Sequence, residues 1–277
     1  MNLYSKKNII NLFKKYNIKP QKKLGQNFLI DKNIIKKIIR SSNISKNDIV
    51  LEIGPGIGTL TIELLKKAKK VTAIEKDKTI IKILKETTKS FKNIKIINQD
   101  ILKIKKIKIN KKYKIIANLP YYIVFPFFKK ILEEENQPHE MILTIQKEVA
   151  QKIVKKPPKA NFLSIFINFY CDSKILFFIP KESFWPKPKV DGAVIKLSNI
   201  KNKNLEVDKF LFYKVIKIGF SSPRKKIINN YFNNIKLNKK EVYNLFNKIN
   251  INPNLRPENL SLKDWIKLTE EISNLIL

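Results

Sequence analysis

Short apolar runs alternate along the first half of the chain with longer segments whose apolar residues recur every three or four positions. The short runs predict buried β-strands, and the segments between them predict amphipathic helices. The predicted strands are residues 48–53, 71–75, 94–98, 114–118 and 141–145, and the predicted helices are residues 59–67, 77–90 and 125–134. Strands and helices that alternate in this way are typical of a doubly wound parallel sheet with helices on both faces.

The pattern changes in the second half of the chain. Three closely spaced apolar runs, with little room for helices between them, predict strands that end the sheet antiparallel; they are residues 162–171, 174–179 and 193–197. The polar segment 198–208 then marks a change, because only helical patterns follow it. We therefore expect an N-terminal extension at residues 1–21, an α/β domain at 22–200 and a small all-α domain at 205–277.

Residues that typically begin helices support the all-α assignment. Ser222 followed by Pro223 predicts one helix start, with proline at the first helical position. Asn238 with Glu241, and Ser261 with Asp264, have the spacing of capping boxes and predict two more helix starts.

A glycine turn follows the first predicted strand in the sequence VLEIGPGIGTL. Glycine at Gly54, Gly56 and Gly58 permits positive φ and lets a ligand approach the backbone closely. Glu75 ends the next strand, where an acidic side chain accepts hydrogen bonds from ribose hydroxyls in this topology. The G-x-G-x-G spacing differs from the dinucleotide fingerprint, which favours S-adenosylmethionine over NAD; a purely structural turn is the alternative.

Asp100 follows the third strand, in the sequence NQDI. Its carboxylate would lie at the edge of the sheet where ligands bind and would accept from an adenine amino group. A loop cap or Asx-turn is the alternative reading of an isolated aspartate after a strand.

The sequence NLPY at residues 118–121 ends the fourth strand with an amide, a proline and tyrosines. The Asn118 side-chain oxygen and the Leu119 carbonyl are candidate acceptors for the two N6 hydrogens of an adenine. Pro120 stiffens the turn, and Tyr121 is a candidate to stack on a flipped base. A strand-ending turn with core tyrosines is the alternative.

Composition narrows the class of protein. The formal net charge is +34, which favours nucleic acid as the partner, but all but three of the 57 cations are lysines. A compositional bias toward Lys, Ile and Asn explains part of this charge, so the lysine run at 103–112 is interpreted as a solvated loop.

The chain has one cysteine, Cys171, and one histidine, His139, which exclude disulfide frameworks, histidine triads and zinc clusters. The N-terminus lacks the apolar core of a signal peptide, and no apolar segment is long enough to cross a bilayer. We expect a soluble, cytoplasmic protein without a metal site.

These motifs together resemble the bacterial small-subunit (16S) rRNA adenine N6,N6-dimethyltransferases. The shared blocks are LGQNFL (24–29), EIGPGIG (52–58), IEKD (74–77), NQDI (98–101), NLPY (118–121), IQKEVAQKIV (145–154), FWPKPKVDGAV (184–194) and RPENLS (256–261).

The resemblance implies a class I methyltransferase core, a helical C-terminal domain that binds rRNA, and dimethylation of two adjacent adenosines near the 3′ end of 16S rRNA during assembly of the 30S subunit. The enzyme is expected to act as a monomer on the immature subunit. The implied cofactor contacts are Asn27, Leu29, Gly54, Glu75, Asp100 and Asn118, and the implied second stacking aromatic is Phe184.

The chain departs from the family pattern at several positions. Tyr122, Val124 and Phe125 replace the usual residues after the NLPY sequence. In the C-terminal domain a double arginine has become Pro223–Arg224, so Arg224, Lys225 and Lys226 are the candidate RNA contacts. Two alternatives remain: a methylase of large-subunit rRNA or DNA, and a non-catalytic nucleic-acid-binding factor on a methyltransferase fold.

Overall fold

The computed structural model describes residues 2–21, 25–109, 111–200, 207–232 and 238–276. Leu24, the first residue of the LGQNFL block, and most of the predicted domain boundary at 198–208 lie outside these residues. The chain divides into two compact units, Met1–Ala150 with Lys174–Ile200, and Gln151–Ser173 with Lys201–Leu277.

A seven-stranded sheet forms the centre of the first unit. Its order is β4-β3-β2-β5-β6-β9-β7, and a second, two-stranded sheet pairs β1 with β8. The strands are β1 (Phe28–Leu29), β2 (Ile49–Ile53), β3 (Lys70–Glu75), β4 (Ile94–Asn98), β5 (Tyr113–Asn118), β6 (Glu140–Gln146), β7 (Asp172–Ile179), β8 (Phe184–Trp185) and β9 (Gly192–Ser198).

The five strands predicted in the first half of the chain are present, and consecutive neighbours from β4 to β6 pair in parallel. β9 pairs antiparallel with β6, with Met141 opposite Leu197 and Gln146 opposite Gly192. The expectation of a parallel sheet with an antiparallel end is therefore confirmed. Because β2 lies between β3 and β5, the chain runs outward to β4 and then returns to the other side of β2.

The helices of the first unit include two that the sequence analysis did not predict, α1 and α2. The N-terminal residues 1–21, predicted as an extension, contain α1, which buries Ile9, Leu12 and Phe13 in one cluster with Phe28 and Ile57. The helices are α1 (Lys6–Lys15), α2 (Lys32–Ser41), α3 (Thr59–Lys67), α4 (Lys78–Thr88) and α5 (Val124–Glu133), followed by α6 (Lys147–Ile153), which runs from the first unit into the second.

The second unit is helical. Its helices are α7 (Phe162–Tyr170), α8 (Lys209–Gly219), α9 (Ile227–Phe232), α10 (Lys239–Lys248) and α11 (Leu262–Ile276). The rings of Phe169 and Phe212 stack with centroids 3.9 Å apart, and the Tyr231 hydroxyl donates to the Val215 carbonyl at 2.7 Å. Trp265 of α11 is fully buried.

Helix α7 occupies residues 162–170 and is followed by Cys171 as its C-cap, so the prediction of residues 162–171 as a strand is wrong. Asn161 caps the helix by accepting from the Leu163 and Ser164 amides, and the Ser164 hydroxyl accepts from the Asn161 amide. The helix is apolar on nearly every side, so its sequence lacks the amphipathic period that distinguishes a helix from a buried strand. These residues pack within the helical unit, whereas the sequence analysis assigned them to the domain at 22–200.

The predicted helix start at Ser222 and Pro223 is also wrong. The Ser222 carbonyl accepts from the Lys225 amide at 3.0 Å and closes a turn, and α9 begins only at Ile227. The two capping boxes are confirmed, because Asn238 and Glu241 bond reciprocally at the start of α10, and Ser261 and Asp264 do so before α11.

Gly219 at the end of α8 provides a test of packing in the helical unit. A Cβ at this position would lie 2.2 Å from Cη2 of the buried Trp265, so we expect Gly219→Ala to destabilise the protein. The cost should be about 1–3 kcal/mol, the usual range for overpacking a core. Urea unfolding would measure it against Lys217→Ala, an exposed change in the same helix. Equal stability of both variants would contradict this packing.

Candidate active site

The ends of four parallel strands gather the predicted site residues at one edge of the sheet. Gly54 follows β2, Glu75 ends β3, Asp100 follows β4 and Asn118 ends β5. All four line a single cleft of about 900 Å³, a volume that includes the part open to solvent. Carboxyl ends of strands beside a reversal of strand order are where open α/β sheets bind ligands.

The glycine turn brings the backbone close to the cleft. Gly54, Gly56 and Gly58 have φ values of +63°, +56° and +91°. A Cβ on Gly56 would lie 2.9 Å from the Phe28 ring, so any side chain here would push that ring away. Glycine is thus required both by conformation and by the space between the turn and the N-terminal loop.

Glu75 is held in place by backbone donors. Its Oε2 accepts from the Gly56 amide at 3.2 Å, and its Oε1 accepts from the Asp77 amide at 2.9 Å. Burial is the largest influence on this carboxyl and raises its pKa, against the lowering effect of those two amides. Each oxygen retains a lone pair for a further donor such as a hydroxyl.

Asp100 faces a cation across the cleft. Its Oδ2 lies 2.9 Å from Lys76 Nζ, and its Oδ1 accepts from the Leu102 amide at 3.0 Å. Burial alone would raise the pKa of this carboxyl, but the bonds from Lys76 and Leu102 outweigh it, and the pKa lies below its ordinary value. Asp100 is therefore both a loop cap, as the alternative reading had it, and a residue of the cleft.

The N-terminal loop closes one side of the cleft with residues 25–29. Gln26 Nε2 donates to Asp77 Oδ2 at 2.8 Å, and Asn118 Nδ2 donates to the Asn27 carbonyl at 3.1 Å. Asn27 and Leu29, both predicted cofactor contacts, line the cleft. The loop is thus anchored at the ends of two different strands.

The turn after β5 has a defined shape. The Leu119 amide donates to the Thr144 carbonyl at 3.0 Å, and the Ile123 amide donates to the Pro120 carbonyl at 3.2 Å. Because Asn118 Nδ2 is bound to Asn27, its Oδ1 is the end of the amide that remains to accept. Within the described residues no protein donor binds Oδ1 of Asn118 or the carbonyl oxygen of Leu119.

The aromatic side chains are arranged differently from the prediction for stacking. Tyr122 is 51% exposed and lines the cleft, whereas Tyr121 and Phe184 do not. The Tyr121 hydroxyl is buried without a described partner, and burial, with smaller effects of Glu148 and Asp191, raises its pKa to about 12. The Phe184 ring is 3% exposed, so stacking on a base would require it to move.

Glu52 is a site residue that the sequence analysis did not single out. It lines the cleft, is 1% exposed, and its Oε2 has no hydrogen-bond partner in the described structure. Burial, with a smaller effect of the Glu75 charge, raises its pKa to about 8. Its position in β2, two residues before Gly54, was the one indication in the sequence.

Further cleft residues were missed because they are ordinary in sequence. They include Gln26, Phe28, Thr59, Lys76 and Gln99. Tyr122, which the sequence analysis named as a departure from the family pattern, lines the cleft as well. Lys76 follows Glu75 directly, but its bond to Asp100 depends on the pairing of β3 with β4.

The predicted RNA-binding residues lie in the helical unit. Arg224, Lys225 and Lys226 are exposed in and after the turn that precedes α9. Lys226 Nζ donates to Asn254 Oδ1 at 2.9 Å. Among the described residues, no group of three His, Cys, Asp or Glu side chains is arranged to hold a metal ion, and no helix has the length and apolarity needed to cross a membrane.

Comparison with known proteins gives consistent matches. A family model described as ribosomal RNA adenine dimethylase matches residues 17–274. Ribosomal RNA small subunit methyltransferase A of Clostridium botulinum is 39% identical over 276 residues, which are 98% of this chain and 99% of that protein.

Solved structures match the fold. A dimethyladenosine transferase from Plasmodium falciparum has a TM-score of 0.77 at 26% identity and covers 88% of this chain and 96% of its own. The 23S rRNA methyltransferase ErmE has a TM-score of 0.69 at 22% identity and covers 89% of this chain and 100% of its own. The expected class I methyltransferase fold with a helical C-terminal part is confirmed.

Glu52 provides a pH-dependent test of the buried cleft floor. With a folded pKa of about 8 and an ordinary value of 4.5, the neutral carboxyl stabilises the fold fully below pH 4.5, and this contribution is lost as pH rises to about 8. We expect Glu52→Gln to remove this loss, so that its unfolding free energy exceeds that of the wild type by a few kcal/mol at pH 8.

Urea titrations from pH 5 to 9 would measure this difference. Glu86→Gln, at a partly exposed carboxylate bonded to Lys89, is the control for removing a charge. If the Glu52 variant and the wild type change in parallel with pH, the buried carboxyl is not neutral in the folded protein.

Proposed function

The chain belongs to the ribosomal RNA adenine dimethylase family, and from this premise we propose that it dimethylates N6 of two adjacent adenosines near the 3′ end of small-subunit rRNA. The methyl donor is S-adenosylmethionine, and the substrate is the immature 30S subunit. The family match extends over both the cleft and the helical unit. The observation that carries the proposal is the turn at residues 118–121. Asn118 and Pro120 line the cleft, and among the described residues no donor binds Asn118 Oδ1 or the neighbouring Leu119 carbonyl.

The residues of the cleft fit S-adenosylmethionine. The Glu75 carboxylate retains lone pairs that can accept from ribose hydroxyls. The Asp100 carboxylate can accept from the adenine amino group, either beside the Lys76 ammonium or in its place. Gly54 and Gly56 line the cleft with positive φ, so a ligand meets their backbone with no side chain between them. When bound, S-adenosylmethionine supplies a methyl group on a positively charged sulfur, which keeps the electron pair of the broken C–S bond.

Asn118 and Leu119 act on the target adenine. Its amino lone pair is delocalised into the ring, which makes N6 a poor nucleophile. When Oδ1 of Asn118 and the carbonyl of Leu119 each accept one N6 hydrogen, the lone pair is directed out of the ring plane. Pro120, with φ of −57°, keeps this presentation rigid. Catalysis is then mainly orientation together with fixed dipoles.

The proton that leaves N6 needs no dedicated base. Formation of the N–C bond places positive charge on N6 and makes its hydrogen acidic, so water accepts the proton. The sulfonium already activates the methyl group, so the chemistry needs no metal ion either.

Tyr121, Phe184 and Tyr122 are the aromatics available to hold the flipped base. Tyr121 belongs to the same turn as the acceptors, and Phe184 is the residue that the family resemblance implies. Tyr122 is exposed at the cleft, where a base would contribute about 1–3 kcal/mol of stacking. Arg224, Lys225 and Lys226 are proposed to bind phosphates, and the enzyme is proposed to act as a cytoplasmic monomer.

Two other functions are the alternatives to the proposed one. A large-subunit rRNA methylase has the same fold, as ErmE shows, so the fold does not discriminate between the two substrates. A non-catalytic binding factor would not need Glu75, Asp100 and Asn118 around one cleft, which argues against that reading.

We expect Asn118→Ala to lower kcat by roughly 100-fold or more, because one of the two N6 acceptors is removed. Its affinity for S-adenosylmethionine should fall but remain measurable, since Glu75 and Asp100 are unchanged. Single-turnover methylation and titration calorimetry would separate the two effects. Asn47→Ala, at an exposed loop position, is the control. Undiminished turnover of Asn118→Ala would rule out this mechanism.

We expect immature small subunits to be methylated in preference to naked large-subunit rRNA. The family match to the small-subunit enzymes covers nearly the whole chain, including the helical unit. Mass spectrometry of both RNAs after incubation with S-adenosylmethionine would locate the dimethyladenosines. A preference for the large-subunit RNA would assign the chain to the alternative substrate, and lack of cofactor binding would favour the non-catalytic factor.

A further inference from the structure

A second, larger recess lies at the β4 edge of the sheet in the first unit. It encloses about 2560 Å³, including the part open to solvent, and is lined by residues of β2, β3 and β4 and of the segment after β4. We call it the lysine groove; its residues come from positions 49–51, 69–74, 92–99, 103–109 and 111. Ile74 and Gln99 line both this groove and the cleft, so the two recesses adjoin.

The charged side chains that line the lysine groove are all positive. Among the described residues, nine exposed lysines line it and no carboxylate does; they are Lys69, Lys70, Lys92, Lys95, Lys103, Lys105, Lys106, Lys108 and Lys111. In the part of the chain that the structure describes, Lys106 alone among them is bonded to a carboxylate, that of Glu135.

Compositional bias does not account for this arrangement. The whole chain has 57 cations and 23 acids, so a surface of average composition would include an acid for roughly every two or three cations. The lysines also come from three separate segments of the chain. The parallel pairing of β3 with β4 places two of these segments side by side, and the third follows β4 along the chain. Like charges repel at this density, and a polyanion relieves the repulsion.

The uncharged side chains of the groove indicate how a polyanion would be recognised. The floor consists of aliphatic and small polar residues, and none of the lining residues that the structure describes is aromatic. Single-stranded nucleic acids are generally held by aromatic rings on which the bases stack. Arginine, which reads guanine edges, is also absent from the lining. The groove therefore suits phosphates rather than bases.

We propose that the lysine groove binds the phosphate backbone of a double-helical RNA segment next to the target adenosines. This inference rests on the proposed function and adds to it a docking surface on the catalytic unit. A duplex presents a dense, regular array of phosphates, which point charges on flexible stems neutralise without reading sequence. Because the groove adjoins the cleft, a duplex bound there holds neighbouring unpaired nucleotides near Asn118.

A membrane surface fits the groove less well. Peripheral membrane binding needs apolar side chains that protrude into the interface. The large hydrophobic side chains that are exposed in the described structure, such as Tyr122 and Phe178, lie outside the groove, and its isoleucines form a recessed floor.

Charge reversal within the groove tests the proposal. The test variant carries Lys92→Glu, Lys95→Glu, Lys105→Glu and Lys108→Glu. The matched control carries Lys6→Glu, Lys36→Glu, Lys46→Glu and Lys82→Glu, which change the net charge equally at exposed positions of the same unit. The probe is a blunt-ended RNA duplex without unpaired adenosines, titrated at several KCl concentrations.

We expect the groove variant to bind the duplex at least 10-fold more weakly than the control at low salt. The slope of log K against log salt should decrease by about 0.9 for each phosphate that the variant no longer neutralises. A second variant with glutamine at the same four positions should show about half the effect and guards against misfolding caused by the new acids. Affinity for S-adenosylmethionine should remain unchanged in all variants.

Three results would overturn the proposal. Equal weakening in both charge-reversed variants would mean that net charge alone acts. Undiminished duplex binding together with weaker binding of single-stranded RNA would assign the groove to unpaired strands. A defect confined to phosphatidylglycerol vesicles would assign it to a membrane surface. Because none of these measurements involves methyl transfer, a failure of the proposed function would appear separately, as full turnover by Asn118→Ala.

Discussion

The parallel pairing of β2 with both β3 and β5 is the constraint on which the cleft depends. It directs the carboxyl ends of neighbouring strands to one edge, so Gly54, Glu75, Asp100 and Asn118 meet although the chain separates them widely. The reversal of strand order beside β2 leaves room at that edge, and the positive-φ glycines keep that room free of side chains. The pairing of the backbone strands therefore determines where the functional side chains of the cleft lie.

The strand ends could be predicted because a buried parallel strand is a short apolar run, and the polar residue that stops it is visible in the sequence. Glu75, Asp100 and Asn118 were found in this way, and all three line the cleft. The sequence did not predict all the residues that form the walls of the cleft. Phe28 and Lys76 have no distinguishing sequence pattern, and they lie there because of loop geometry and strand neighbours. The lysine groove was missed for the same reason, since its run at 103–112 looked like a solvated loop until the lysines of β3 and β4 were placed beside it.

The misassigned elements share a physical cause. α7 is buried on nearly all sides, so its apolar run contains no period to separate helix from strand, and only its cap at Asn161 identifies it. At Ser222 the serine and proline have the local preference for a helix start, but the tight turn to Lys225 is what forms, and the helix begins after it. α1 was overlooked because lysines and asparagines interrupt its apolar positions, yet its buried face is continuous once the helix is wound.

The hydrogen bonds that anchor residues 25–29 couple the position of this loop to ligand binding in the cleft. The loop reaches the strand ends through Gln26 to Asp77 and through the Asn27 carbonyl to Asn118, and its residues form one wall of the cleft. A molecule that binds more tightly when this wall is in place favours the anchored state, and by thermodynamic reciprocity the anchored state favours that molecule to the same degree. Residues 25–29, distant in sequence from the glycine turn, thereby act as a thermodynamic partner of whatever fills the cleft.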